Sequence, residues 1–148
     1  MFMLDFYVDS ARVAIENIKK AFATPMGVFV YSAVTGMIGV VILLFFFSML
    51  LAGSSLATAL PAILAFNGAC CGYGIVDRGG TDFPRLTMVL VIISLLLLAT
   101  GYAALGLLVP WESFTGGIRL LISGCLVVGF SFFGTWIARK NKKLQTKS

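Results

Sequence analysis

The residues of this chain that could do chemistry are few, and their spacing suits little of it. Cys70 and Cys71 are neighbours, Cys125 stands far from both, and there is no histidine. A metal site or redox pair usually needs thiols spaced as CxxC, or thiols combined with imidazole. Adjacent side chains on a helix point about 100° apart, so Cys70 and Cys71 are expected to serve as small apolar groups. Acylation near a membrane boundary is the alternative. The acidic residues are Asp5, Asp9, Glu16, Asp77, Asp82 and Glu112, and all fall outside the long apolar runs. Acid–base and metal-assisted catalysis recruit histidine, carboxylates or a placed thiol. The expectation is therefore a protein that is not an enzyme and has no metal or cofactor. Two polar side chains remain as ligand candidates. Asn67 lies well inside an apolar run, where an unpaired amide would cost a few kcal/mol. It is expected to bond a hydroxyl such as Ser94 or Thr35, or a freed carbonyl of a neighbouring span, or else to contact a substrate. Arg119 is expected to snorkel toward headgroups or pair with Glu112, with anion binding as its functional reading.

The elements that must position these groups are set by hydropathy. The chain has 148 residues, 59% of them hydrophobic and 11% charged, with a mean hydropathy of +1.02. An ordinary soluble domain needs a far more polar surface. Four runs, residues 26–52, 55–76, 86–109 and 118–138, each reach the ~20 residues a helix needs to cross about 30 Å of hydrocarbon. They are almost continuously apolar, without the alternation of membrane-barrel strands. The predicted fold is an all-α integral membrane protein, a bundle of four transmembrane helices over residues 25–139.

Charge predicts sidedness. Basic residues precede the first run (Arg12, Lys19, Lys20), separate the second and third (Arg78, Arg85), and follow the fourth (Arg139, Lys140, Lys142, Lys143, Lys147), leaving only Arg119 on the other side. By the positive-inside tendency both termini and the middle loop are cytoplasmic, with a bacterial cytoplasmic membrane as the default placement. The net charge of +5 reads as a topology signal and an attraction to membrane lipids, with no nucleic-acid partner expected.

Residues 1–24 are predicted to form an amphipathic interfacial helix rather than a cleaved signal, because Asp5, Asp9, Arg12 and Glu16 interrupt any apolar core. Its polar face, with Arg12, Glu16 and Lys20, is a candidate docking surface. So are Asp77 and Arg78 of the middle loop, and Arg139 and Lys140 at the start of the basic tail, residues 140–148. Thr24-Pro25 is expected to turn the chain into the first span.

Each run also carries small residues at helical spacing, which let backbones approach where lipid gives side chains no other reason to associate. The seams are Ser32, Gly36 and Gly39; Gly68 and Gly72, a GxxxG; Ser94 and Gly101; and Gly117, Gly124 and Ser131. Gly68 and Gly72 are expected to face the bundle interior, with a contact to another copy as the alternative. Functionally, these features predict an accessory, assembly or interaction subunit of a larger membrane complex. The alternative is a homo-oligomeric channel or transporter, and less readily a membrane-permeabilising protein. The partners would be other membrane subunits or further copies of the chain. The spans hold only one charged residue, Arg119 at an edge, which counts against proton-coupled transport.

Overall fold

The structure is a computed structural model and describes residues 20, 24–80, 83–109 and 117–145. All secondary structure among them is helical: α1 (Pro25–Leu50), α2 (Gly53–Gly79), α3 (Leu86–Leu108) and α4 (Gly117–Gln145). All four helices are long and apolar enough to cross a membrane. Large apolar side chains such as Ile42, Phe46, Leu95 and Leu121 stand exposed on the outside. Four such helices with so apolar an outer surface suggest a membrane protein.

Local chemistry sets the helix ends. Thr24 caps α1 by accepting a hydrogen bond from the Gly27 amide at 3.1 Å, and Pro25 occupies the first turn, where its missing N–H costs nothing. Only Leu51 and Ala52 separate α1 from α2, so Gly53 and Ser54, read from sequence as the turn, begin the second helix. Pro61 lies well inside α2 and the helix continues through it. At its other end α2 runs to Gly79, placing Asp77 and Arg78 in its last turn rather than in a loop, and Gly80 takes the positive φ of 88° that ends it. Arg85 caps α3 in the left-handed region at φ 52°. Residues 1–19, which hold Arg12 and Glu16, lie outside the described residues. Helix α4 continues past Ala138 through the basic residues to Gln145.

Matching positions give the directions of the helices. Gly39 meets Asn67 and Gly36 meets Cys71, so α1 and α2 are antiparallel. Gly68 lies against Val127, Gly72 against Ser131, and Lys142 reaches Val76, so α2 and α4 run parallel. Helix α1 packs on α2 and α3, α4 packs on α2 and α3, and α2 and α3 meet across the centre. The middle is filled by Leu44, Leu64, Leu90, Ile93 and Leu97, each fully buried.

The α2–α4 contact is the most extensive in the bundle, and it joins backbone to backbone. A methyl carbon at Gly72 would collide with the Ser131 carbonyl oxygen, and one at Gly134 with the Ala69 carbonyl oxygen. One at Gly68 would lie 2.9 Å from the Val127 carbonyl. The α-hydrogens of Gly72 and Gly134 therefore point at carbonyl oxygens, the Cα–H···O=C arrangement common at helix interfaces.

Two residues of the predicted fourth seam do not take part. Among the described residues nothing lies near a side chain added at Gly117, and one at Gly124 would make only an ordinary 3.7 Å contact with Leu98. The tight contact with α2 involves Val127, Ser131 and Gly134, and Gly134 was not among the seam residues expected from the sequence. Replacing Gly134 by alanine should therefore lower bundle stability by roughly 1–3 kcal/mol through overpacking against backbone, whereas Gly124→Ala should stay within about 0.5 kcal/mol. Equilibrium unfolding of both variants in mixed micelles measures the difference; equal losses would contradict the assigned contact face.

Candidate functional site

Every fully buried polar side-chain atom among the described residues has a hydrogen-bond partner; the Asn67 carbonyl oxygen, which opens onto a cleft, is not one of them. Most partners lie within the bundle's own seams. Ser131 donates to the Val127 carbonyl at 2.8 Å, and its hydroxyl lies 3.3 Å from that of Ser94, tying α3 to the α2–α4 pair. Ser123 and Tyr102 make a second hydroxyl contact between α4 and α3 at 3.2 Å. Gly101 lets α3 settle against Leu60 and Leu64 of α2. These groups serve packing; among the described residues the outside carries several openings, and the two that lie beside α2 are the candidate sites.

The first is a cleft of about 260 Å³ between α1 and α2. Gly36, Gly39 and Gly74 line it, with Cys71 and Asn67 filling the room at Gly36 and Gly39, and Ser32, Thr35 and Asn67 supply polar groups. Cys71, buried, donates its S–H to the Ser32 carbonyl at 3.3 Å, which holds the two helices together beside the cleft. Arg78 closes the basic end, its guanidinium 3.7 Å above the centre of the Tyr31 ring, a cation–π contact that fixes an otherwise mobile arm. Asn67, 6% exposed, sits at the far end. Its amide N–H bonds the Ile63 carbonyl of its own helix at 2.9 Å. Ser94 and Thr35, its expected partners, do not reach it: Ser94 faces Ser131, and Thr35 lines the same cleft without a bond to it. The Asn67 carbonyl oxygen rests against the α-carbon of Gly39, where a side chain would collide. Among the described residues no N–H or O–H donates to that oxygen.

The second opening is a larger groove of about 560 Å³ on the outer side of the α2–α4 pair. Ala62, Ala65 and Ala69 form its floor, and Phe66, Tyr73, Phe130 and Phe133 its walls. Its lining is almost wholly apolar. Cys70 touches both the groove and the cleft and carries a free thiol, as do Cys71 and Cys125.

Arg119 is exposed at the start of α4 and contributes to neither opening; Glu112 lies outside the described residues. Lys20, Asp77, Arg139 and Lys140 are exposed at the basic end, with Lys140 placed 5.5 Å from the Trp136 ring centre. Sequence reasoning did not single out Lys142, which donates to the Val76 and Asp77 carbonyls at 2.7 Å each. It caps the end of α2 from α4, where a cation also complements the helix dipole. The only sequence signal was a lysine one turn past the end of the fourth apolar run.

Compared with protein-family models, curated proteins and solved structures, the chain matches none. Lys142→Met should leave the spans packed yet free the last turn of α2, a loss of about 1 kcal/mol. Hydrogen exchange at the Gly79 and Gly80 amides should speed up several-fold, and unchanged exchange there would remove the capping role.

Proposed function

We propose that this protein is an accessory, assembly or interaction subunit of a larger membrane complex, and that its α2–α4 groove receives one transmembrane helix of a partner protein. The groove is the observation that carries this reading. Alanines at 62, 65 and 69 line about two turns of one helix, and aromatic walls rise on either side. Small floor residues permit close backbone approach, which a helix exploits and a disordered acyl chain does not need. The filled centre supports the same reading, because a single bundle sealed by Leu44, Leu64, Leu90, Ile93 and Leu97 leaves the outside as the working surface.

A foreign helix fits better than a second copy. The groove is concave, and the bulky exposed side chains Ile38, Ile42, Phe45 and Phe46 belong to α1, which packs on α2 and α3 away from α4. Self-contact of such unlike faces would be head-to-tail and would continue into rings or filaments, whereas one partner helix satisfies the groove at once. The basic end, with Arg78, Arg139, Lys140 and Lys143, lies on the cytoplasmic side of a bacterial inner membrane in this reading. There it also offers a surface for acidic headgroups or an acidic partner segment.

Tagged protein purified from its native cells in mild detergent should retain a stoichiometric foreign subunit in native mass spectrometry. A thiol-directed cross-linker at Cys70, at the groove's edge, should capture the same subunit when Cys125 is replaced by serine. Ala62→Phe fills an exposed floor position and should reduce the recovered partner more than tenfold while the bundle's unfolding is unchanged. Recovery of a homo-oligomer alone would overturn the accessory reading in favour of a channel or transporter.

A further inference from the structure

We propose that the α1–α2 cleft is a binding site for a single-chain anionic amphiphile that carries a hydroxyl or amide N–H partway along its chain. Its acid group would sit on Arg78 and its donor would reach the Asn67 carbonyl oxygen. The site is independent of whether a partner helix occupies the α2–α4 groove, and it rests on the placement of the bundle in a bilayer.

Four observations lead there. Arg78 stands at the interface end of the cleft, immobilised on Tyr31, and no carboxylate pairs with it among the described residues. An oriented guanidinium is a strong anchor for a carboxylate or phosphate. At the other end the oxygen of a side chain that is 6% exposed has no N–H or O–H donor. The weak Gly39 Cα–H contact does not replace one, and the oxygen opens onto the cleft, where a donor from a bound molecule can reach it. Between the two ends the lining is made by Gly36, Gly39 and Gly74 with the hydroxyls of Ser32 and Thr35, a slot and not a chamber. Thr35 and Cys70 are exposed, so the slot opens sideways and a molecule already in the leaflet can enter it.

Dimensions select the ligand class. Arg78 follows Asn67 by 11 residues, on the order of 16 Å of helix. A small soluble anion cannot engage both ends, and deep in the slot it would be buried without a cation, which is prohibitive. A two-chain phospholipid could satisfy Arg78, but at the depth of Asn67 near the middle of α2 it presents only methylenes. A slender acid with a mid-chain donor meets both requirements.

Ricinoleate, an acid with a mid-chain hydroxyl, and oleate, which lacks it, form the test pair. Binding is measured to the full chain in phosphatidylcholine nanodiscs at mildly alkaline pH by native mass spectrometry. Ricinoleate should bind one per chain and roughly fivefold to tenfold more tightly than oleate, the worth of about one buried hydrogen bond. Asn67→Leu should bring ricinoleate down to the level of oleate, and Arg78→Gln should weaken both about tenfold. If Asn67→Leu does not fold, the ratio on the unaltered protein still decides. Equal affinities there, indifference to Arg78→Gln, or displacement of ricinoleate by inorganic phosphate would each overturn the proposal.

Discussion

The bundle depends on the direct approach of two backbones. Where α2 meets α4, Gly72 faces the Ser131 carbonyl and Gly134 faces the Ala69 carbonyl, with no side chain between. Lipid gives apolar side chains almost no reason to prefer each other, so association must come from dense packing and from polar contacts that lipid cannot supply. Backbone approach provides both, because it brings many atoms into van der Waals range and aims α-hydrogens at carbonyl oxygens. Once α2 and α4 are fixed, the Ser131 hydroxyl is in place to meet Ser94 and set α3. The opposite side of α2 then presents Cys71 and Asn67 to the small face of α1.

In the proposed reading α2 is the functional helix as well as the structural one. It contacts all three others, and both candidate openings lie beside it. One is apolar with a floor of alanines and suits a helix. The other is polar at both ends and suits an amphiphile. Their shared residue is Cys70, so a ligand in the cleft and a partner in the groove would be separated by one side chain. The centre, filled with leucine and isoleucine, contributes stability and closes the bundle to water.

Much of this was legible in the residues. The lengths of the four apolar runs predict the four helices, and Thr24-Pro25 predicts the start of α1 through cap chemistry and proline sterics alone. Gly68, Gly72 and Ser131 stand out because small residues inside an apolar run have few other uses. The rest depended on geometry that spacing does not carry. A strict seven-residue repeat assumes that a helix keeps one face on one neighbour throughout, but α4 presses on α2 only from Val127 onward, so Gly117 and Gly124 drop out and Gly134 enters. The partner of Asn67 was misjudged because its own helix offers a carbonyl one turn away, closer than any hydroxyl across the interface. Lys142 was missed because its long arm reaches back to α2, and its reach is invisible in a linear chain. The amphipathic segment before α1 was read from periodicity and lies outside the described residues.

The most direct measurement of the central constraint is a solid-state NMR carbon–carbon correlation between Gly134 Cα and the Ala69 carbonyl, with the protein selectively labelled and reconstituted in lipid bilayers. A Cα–H···O=C contact holds carbon and oxygen about 3.3–3.6 Å apart, which puts the carbonyl carbon roughly 4–4.5 Å from the Cα, so the account predicts a cross-peak that builds up later than those between sequence neighbours and as early as those one turn apart within a helix. Its absence, while correlations within each helix persist, would mean that side chains separate α2 from α4 and that the bundle is organised around some other contact.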